Sequence, residues 1–578
     1  MPRFFRIFLL LSWAIAAPTL AQVRDTTQVI LPDLAPREVE IRGTLEISFP
    51  SLQRQPLIGF NPPPLVPQIP PDRQPYVEPY RQAAAALSPV SLKRPEPPPI
   101  ATIGRGNPAN GLFESTLGRY LTRSFNGYLE YPLTGGLTPY AALIYTGSSG
   151  FQPFAGRSDL EAPYDLLDAR TGLAYTGRLQ AGLELGGFAH RYRLYGLVHD
   201  LTYSAPRREG QGGYVQFRVA PSAQDDLEGF LQVRLSTIRY ATTYPAGFFN
   251  QSLRPIERTL LERRLDLNGT LRYPFAAGTL SFDVQGHVAG IDPQAFLESD
   301  VRSLAVGATW QFAFGPALQL TVGGRLLGLK AAPTNTQALY VSPVLELALF
   351  PASGTRLYVR QQPSLAAYWL DELLQETPVL DEPLMPQPAL RHIDLEAGGD
   401  FFLGALRLQT AAGFTQAPLE RYRYQIRRSF PPVVSVTRLN YAEQRRLYLR
   451  TEATLTLPAG LQGTLGLTFQ QVNLQETNQR VPYEPNWLAH LLLSYRFDRQ
   501  RGFIQLLGRY EGVRYAAFNK QDRLSPYLDL DLQATYQLTT AIGVVARLEN
   551  LAPRRYRTRW LYYPEPSAIF SAGMRIRW

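Results

Sequence analysis

The chain has 578 residues, of which 45% are hydrophobic and 12% aromatic, with no cysteine and a formal net charge of +10. No disulfide and no thiol chemistry is available to it, and past the amino terminus no apolar run approaches the ~18 residues of a membrane-spanning helix, which excludes a helical membrane protein. The positive charge is almost all arginine, lysine occurring only at Lys93, Lys330 and Lys520, and the arginines are scattered along strands and loops, a distribution that argues against nucleic acid as a partner.

Arg3 and Arg6 precede an apolar run over residues 7–17, and Thr19-Leu20-Ala21 supplies small residues ahead of Gln22. This pattern predicts a signal peptide over residues 1–21, too short to serve as a membrane anchor. Residues 22–110 are proline-rich, with Pro62-Pro63-Pro64, Pro70-Pro71 and Pro97-Pro98-Pro99. Such a segment is extended or polyproline-like and builds no core of its own. Within it, Asp25, Thr26, Thr27, Gln28 and Val29 form a short extended stretch, suited either to strand addition onto a partner's sheet edge or to a disordered mature terminus.

From residue 111 to the end the sequence alternates with period two. In the last strand Phe570, Ala572, Met574, Ile576 and Trp578 point one way, and Ser571, Gly573, Arg575 and Arg577 the other. In an earlier one Leu528, Leu530 and Leu532 alternate with Asp529, Asp531 and Gln533. An apolar face opposite a charged face, in strand after strand, favours a closed barrel in lipid with a polar lumen. The 32 tyrosines suit two interfacial girdles. Short turns are expected near Thr134-Gly135-Gly136, Gly186-Gly187, Pro221-Ser222, Ala276-Ala277-Gly278, Gly315-Pro316, Ala352-Ser353-Gly354, Gly404-Ala405, Pro458-Ala459-Gly460, Asp498-Arg499-Gln500 and Leu538-Thr539-Thr540.

Longer polar segments between these turns read as extracellular loops, at about 148–170, 204–211, 241–257, 292–299, 331–335, 368–389, 418–445, 475–486, 514–525 and 552–566. The fold expected is all-β, a transmembrane up-and-down antiparallel β-barrel of about 22 strands over residues 111–578, assembled by the barrel-insertion machinery in contact with outer-membrane lipid and lipopolysaccharide. The terminal strand with Phe570, Met574, Ile576 and Trp578 closes it.

Two loops concentrate cations with aromatics. Arg421, Tyr422, Arg423, Tyr424, Arg427 and Arg428 fall in the segment 418–445, and Arg554, Arg555, Arg557 and Arg559 in the last loop. Forked guanidinium hydrogen bonds and ring stacking suit carboxylate, phosphate or sugar ligands, while arginines at a barrel rim equally meet lipid phosphates. The five histidines show no metal-ligand spacing, and no hydrolase, metalloprotease or phosphate-loop motif occurs. Neither catalysis nor a cofactor is expected.

The final segment resembles the closing hairpin of the TonB-dependent outer-membrane receptor family. The elements are Arg547-Leu548-Glu549-Asn550-Leu551, Arg555-Tyr556, Tyr562-Tyr563-Pro564 and the aromatic terminus at Trp578. The resemblance implies capture of a bulky solute by extracellular loops and energy-coupled passage with periplasmic TonB, possible partners being TonB and a surface lipoprotein. Residues 25–29 would then be the TonB box. Arg37-Glu38-Val39-Glu40-Ile41-Arg42-Gly43 looks like the family's first plug strand, but its later plug motifs are missing. A barrel that has lost coupling, serving as a passive pore or as the platform of an outer-membrane complex, is the alternative.

Overall fold

The computed structural model describes residues 110–578 apart from 134, 155–159, 178, 198–203, 223–226, 247–253, 276–277, 294–298, 332–335, 382–385, 429–433, 458–459, 519–521 and 554–557. Residues 1–21, expected to be a signal peptide, the proline-rich segment up to residue 109 and residues 25–29 lie outside the described residues.

Twenty-two antiparallel strands, each paired with the next in the chain, form one closed sheet. The first, Gly111–Gly118, pairs on one side with Arg123–Glu130 and on the other with the last, Ile569–Arg577, in the register Phe113↔Ile576 and Leu117↔Ala572. Closure leaves no unpaired edge, the condition for placing strands in hydrocarbon. With strands ~4.8 Å apart and tilted by roughly 40°, a barrel of this strand number is about 44 Å across its backbone.

The two faces differ as a lipid-immersed sheet requires. Along Ser299–Phe314, Val301, Ser303 and Ala305 are buried, while Arg302, Leu304 and Val306 are exposed. The outward apolar band continues around the wall through Leu235, Leu265, Val288, Leu326, Leu395, Leu449, Leu467, Met574 and Phe113. Inward residues form ladders of carboxylates, arginines and tyrosines. Glu396 accepts from Tyr358 and Tyr448 at 2.7 Å and is ion-paired with Arg360 at 2.9 Å and Arg450 at 2.8 Å. Glu184 accepts from Tyr140 at 2.6 Å and Tyr214 at 2.8 Å.

One end carries short turns and both ends of the barrel chain, the usual periplasmic side. Gly404, between Leu403 and Leu406, has φ 64°, and Gly354 has φ 79°; the left-handed region these turns need costs glycine nothing. The Gly186-Gly187 pair does not turn. It lies inside Leu179–Arg193, paired on both sides, and the chain reverses instead after Tyr164–Thr176, beyond Gly177. A Cβ on Gly186 would sit 2.2 Å from the Tyr214 ring, so the glycine makes room for that inward aromatic.

The other end carries the long connections, and some are shorter than their polarity suggests. Segment 418–445 is largely a strand hairpin, Leu406–Arg428 with Val434–Thr456, each 23 residues long, bent by an irregularity between Ala417 and Glu420. Segment 204–211 is mostly the start of Arg207–Pro221. Strands that have left the bilayer no longer need an apolar face, so their composition is that of a loop.

Candidate functional site

The extracellular connections fold inward and pack on one another across the mouth. The centre of this cap is a helix, Leu370–Glu376, in the connection between Thr355–Gln361 and Ile393–Leu403. Leu370, Leu373 and Leu374 stand at the i, i+3, i+4 spacing of one helical face, and all are buried against Ile238, Tyr240 and Leu260 of the wall. Asp371 and Glu372 occupy the first turn, the favourable end for acidic residues. No side chain of its own caps the helix; instead the Leu370 N–H donates to Glu262 Oε2 on the wall, at 3.0 Å. Thr377 and Pro378 end it, since proline cannot continue a helix.

Each end of the helix is tied to a different wall. At the amino end Arg264 reaches Asp371 at 3.3 Å and Asp266 at 2.8 Å and stacks 5.1 Å from the Trp369 ring. At the carboxyl end Glu376 takes Arg421 at 2.6 Å and Arg423 at 2.7 Å. Burial alone would raise the Glu376 carboxyl, but Arg423 and Arg421 outweigh it and hold it at about 2. Beyond the helix, Pro378 O accepts from Arg208 at 3.1 Å and Asp381 Oδ1 from Tyr244 at 2.9 Å, and the Asp381 N–H donates to Thr437 O at 2.8 Å.

The last connection completes the cap. Its short pair Thr558–Trp560 and Tyr563–Pro564 places Trp560 and Tyr563 in a buried cluster with Val379, Tyr483, Ala516 and Leu524. Tyr195 donates to Pro564 O at 3.0 Å, and Arg514 to Arg559 O at 3.1 Å. Glu565 accepts from Tyr527 at 3.0 and 3.1 Å; burial, with Asp529 nearby, raises its carboxyl to about 7.

The expected cationic residues are therefore partly assembled. Arg421, Arg423 and Arg559 converge, Arg421 lying 3.5 Å over Tyr368, and Arg423 and Arg559 5.7 and 5.3 Å from the Trp560 ring. Tyr422 and Tyr424 form a neighbouring aromatic group with Phe518. Arg427 and Arg428 end the strand in register with Ser435 and Val434, and their side chains are not among those described. Arg554, Arg555 and Arg557 lie outside the described residues. Glu376 and the helix that carries it were not anticipated, although Leu370, Leu373 and Leu374 behind Asp371 and Glu372 are a helical signature inside the segment 368–389. Arg421 Nη1 and Arg423 Nε are buried without a hydrogen-bond acceptor among the described residues. A closely set, incompletely satisfied pair of guanidinium groups beside aromatic rings can bind an anion.

A closed barrel of 22 strands with an outward apolar band and an inward charged wall defines an outer-membrane β-barrel, with the fold of the TonB-dependent receptors. Among solved structures it is similar to the FrpB iron transporter from Neisseria meningitidis, at 12% identity and TM-score 0.61, covering 81% of each chain. It is also similar to the copper transporter OprC, at 13% identity and TM-score 0.60, over 81% of this chain and 80% of that one. A mutant of the ferric enterobactin receptor PfeA from Pseudomonas aeruginosa, in complex with enterobactin, aligns at 14% identity and TM-score 0.60 over 81% of each chain. No protein-family model and no curated protein sequence matches the chain.

Proposed function

We propose that this barrel is an outer-membrane uptake receptor for a bulky anionic solute, captured at the cap by Arg421, Arg423 and Arg559 and passed inward with energy supplied through TonB. The observation that carries the reading is the packed cap over a lumen far wider than that of a general porin. A passive pore gains nothing from burying helix Leu370–Glu376 across its mouth, whereas a receptor needs a surface that is closed at rest and reorganises around a ligand. The fold shared with metal and siderophore transporters supports the same class of task. Residues 1–21 are assigned to export, residues 22–110 to a proline-rich coupling segment, and residues 25–29 to the TonB contact.

Two measurements test it. In planar bilayers the intact protein should show low conductance, rising several-fold when residues 22–110 or the 362–392 connection is deleted; high conductance in the intact protein would establish the passive pore. In a binding assay with the purified periplasmic domain of TonB, the full chain should bind, and Thr27→Pro with Val29→Pro should not, because proline lacks the amide donor that strand addition requires.

A further inference from the structure

Through the bilayer every strand is paired on both flanks, but toward the outer rim one ladder stops short. Thr336–Ala352 pairs on one side with Leu318–Ala331 all the way up to Thr336, whereas on the other its pairing with Thr355–Gln361 reaches only Leu345↔Gln361. Above that point the chain turns inward. Ser364–Ala366 pairs with Ala389–Arg391, and Leu365 is buried against Ala305, Leu327 and Leu329 on the inner face of the wall. The wall is thus lapped there, one lip lying inside the other. At ~3.3 Å per residue and a tilt of roughly 40°, Leu345 stands about 20 Å and Val341 about 30 Å above the Ser353-Gly354 turn, so the pairing stops near the top of an apolar band ~25 Å tall.

Neither lip has a partner across the gap. The Phe350 N–H donates to Ala317 O, on the flank of Leu318–Ala331. By strand alternation the amides and carbonyls of Gln337, Leu339 and Val341, and the Pro343 carbonyl, point to the opposite flank, where no strand stands among the described residues. Val341 and Leu339, 80% and 71% exposed, are the most exposed large apolar side chains among the described residues, because the neighbour that would cover them from that flank is missing. Pro363 O, which would face this edge in a continued ladder, accepts instead from Arg325 Nη1 at 2.9 Å on the inner face.

The stop coincides with a pair of prolines. Carried upward in the register Leu345↔Gln361, the ladder sets Pro363 against Pro343, then Leu365 against Val341, Ala367 against Leu339 and Trp369 against Gln337. Two opposed prolines have no amide to give each other, so that rung is weak yet strands no donor. The rungs beyond it fit. Leu365, Ala367 and Trp369 fall on the outward face and Ser364, Ala366 and Tyr368 on the inward one, the alternation of a wall strand with a tryptophan at headgroup level.

We propose that residues 362–369 and the open edge 337–343 form a zipper that works the cap. In the state described, the segment is lapped inside and holds helix Leu370–Glu376 across the mouth; in a second state it pairs with the open edge as an extension of Thr355–Gln361 and draws the helix to the rim. This rests on the reading of the cap as the closed state of a receptor. A solute that takes Arg421 and Arg423 from Glu376 removes one tie of the lapped state, and the rungs at Val341, Leu339 and Gln337 supply backbone bonds to the zipped one. Geometry selects this occupant of the edge. Lipid offers no matching row of donors and acceptors, and a second copy does not fit: a two-fold axis along the membrane normal makes the two edges run the same way and cross at twice the strand tilt, roughly 80°.

The chain has no cysteine, so introduced pairs report the register directly. The full chain in lipid nanodiscs is oxidised mildly, and cross-links are mapped by mass spectrometry. Leu347→Cys with Val359→Cys, on a rung already formed, sets the rate of a paired position. Leu339→Cys with Ala367→Cys, which the lapped state keeps on opposite faces of the wall, should cross-link slowly in the parent background and about 30-fold faster with Glu376→Ala. Pro343→Val with Pro363→Val, which restores amides to the weak rung, should speed it by about tenfold. Leu339→Cys with Ala366→Cys, one residue out of register, should stay slow throughout. Once formed, the 339–367 cross-link should raise conductance several-fold, and reductant should reverse the rise. Absence of that cross-link in the Glu376→Ala background, with the 347–359 control intact, overturns the proposal. So does an equal rate for the out-of-register pair, or unchanged conductance in the cross-linked protein. Inorganic pyrophosphate serves as an anionic probe: cross-linking that rises with Glu376→Ala but not with pyrophosphate supports the zipper and counts against anion capture by Arg421 and Arg423.

Discussion

Arg575 on the last strand donates from Nε to Glu114 Oε2 on the first, at 2.8 Å, across the seam where the barrel closes. Arg547 meets the other oxygen of the same carboxylate. Glu114 is buried, so the two arginines share one anion that water does not replace.

Glu114→Ala should therefore leave two lumenal guanidinium groups uncompensated at the seam, at a cost of roughly 1–3 kcal/mol. Urea unfolding in detergent, followed by the shift between folded and heat-denatured bands on gels, measures it. A variant as stable as the parent would mean that the backbone register alone holds the closure.

On the lipid face the relevant term is transfer of charge into hydrocarbon. Met574 is outward and exposed within Ile569–Arg577. Met574→Arg should cost about 2–4 kcal/mol near the midplane, seen as loss of the folded form from the outer-membrane fraction. Arg577→Met, on the inward face of the same strand, should be far milder.

Removing the carboxylate at the end of the cap helix frees the buried pair Arg421 and Arg423. Glu376→Ala should lower the local stability of the helix by about 2 kcal/mol, and so speed amide exchange over 370–376 about 30-fold. Exchange in the wall strands should not change. Glu376→Asp should restore part of the protection.

The two ends of the cap should respond to pH in opposite senses. Glu565 is raised to about 7, so docking of the last connection carries no penalty while the carboxyl is protonated. The penalty grows as pH rises from about 5 and is complete above about 7, because the docked state must then hold a buried charge. Glu376 is depressed to about 2, so its contribution is full above the ordinary carboxylate range and is lost only as pH falls below about 4. Between pH 5 and 8, the protection of amides at residues 558–560, taken relative to intrinsic exchange at each pH, should fall while that at 370–376 stays level; Glu565→Gln should remove the first trend.

The barrel was readable from the sequence because its physics is local: period two, one face in lipid, turn residues at the periplasmic end. Phe570, Met574 and Trp578 announce the terminal strand by alternation alone. Gly186-Gly187 misled because glycine serves two ends, reversing a chain or admitting a neighbouring ring, and only the fold shows that Tyr214 is there. The upper half of Leu406–Arg428 misled because outside the bilayer the apolar alternation stops while the pairing does not. Arg421, Arg423 and Arg559 could be named as a cationic group, but their counter-ion could not. Glu376 lies some 45 residues from Arg421 in sequence and in a seven-residue helix, too short for periodicity to stand out.

Helix Leu370–Glu376 also has a mechanical meaning. A hoop of this diameter, one sheet thick, resists stretching around its circumference far better than flattening, as a thin tube does. Held against Leu260 on one side and Arg421 on the other, the helix ties two sectors of the rim together. Drawing it out of place, by a ligand or by the loss of Glu376, would let the rim become oval and change the spacing of every connection anchored there. A contact at one point of the mouth is thereby felt around its whole circumference.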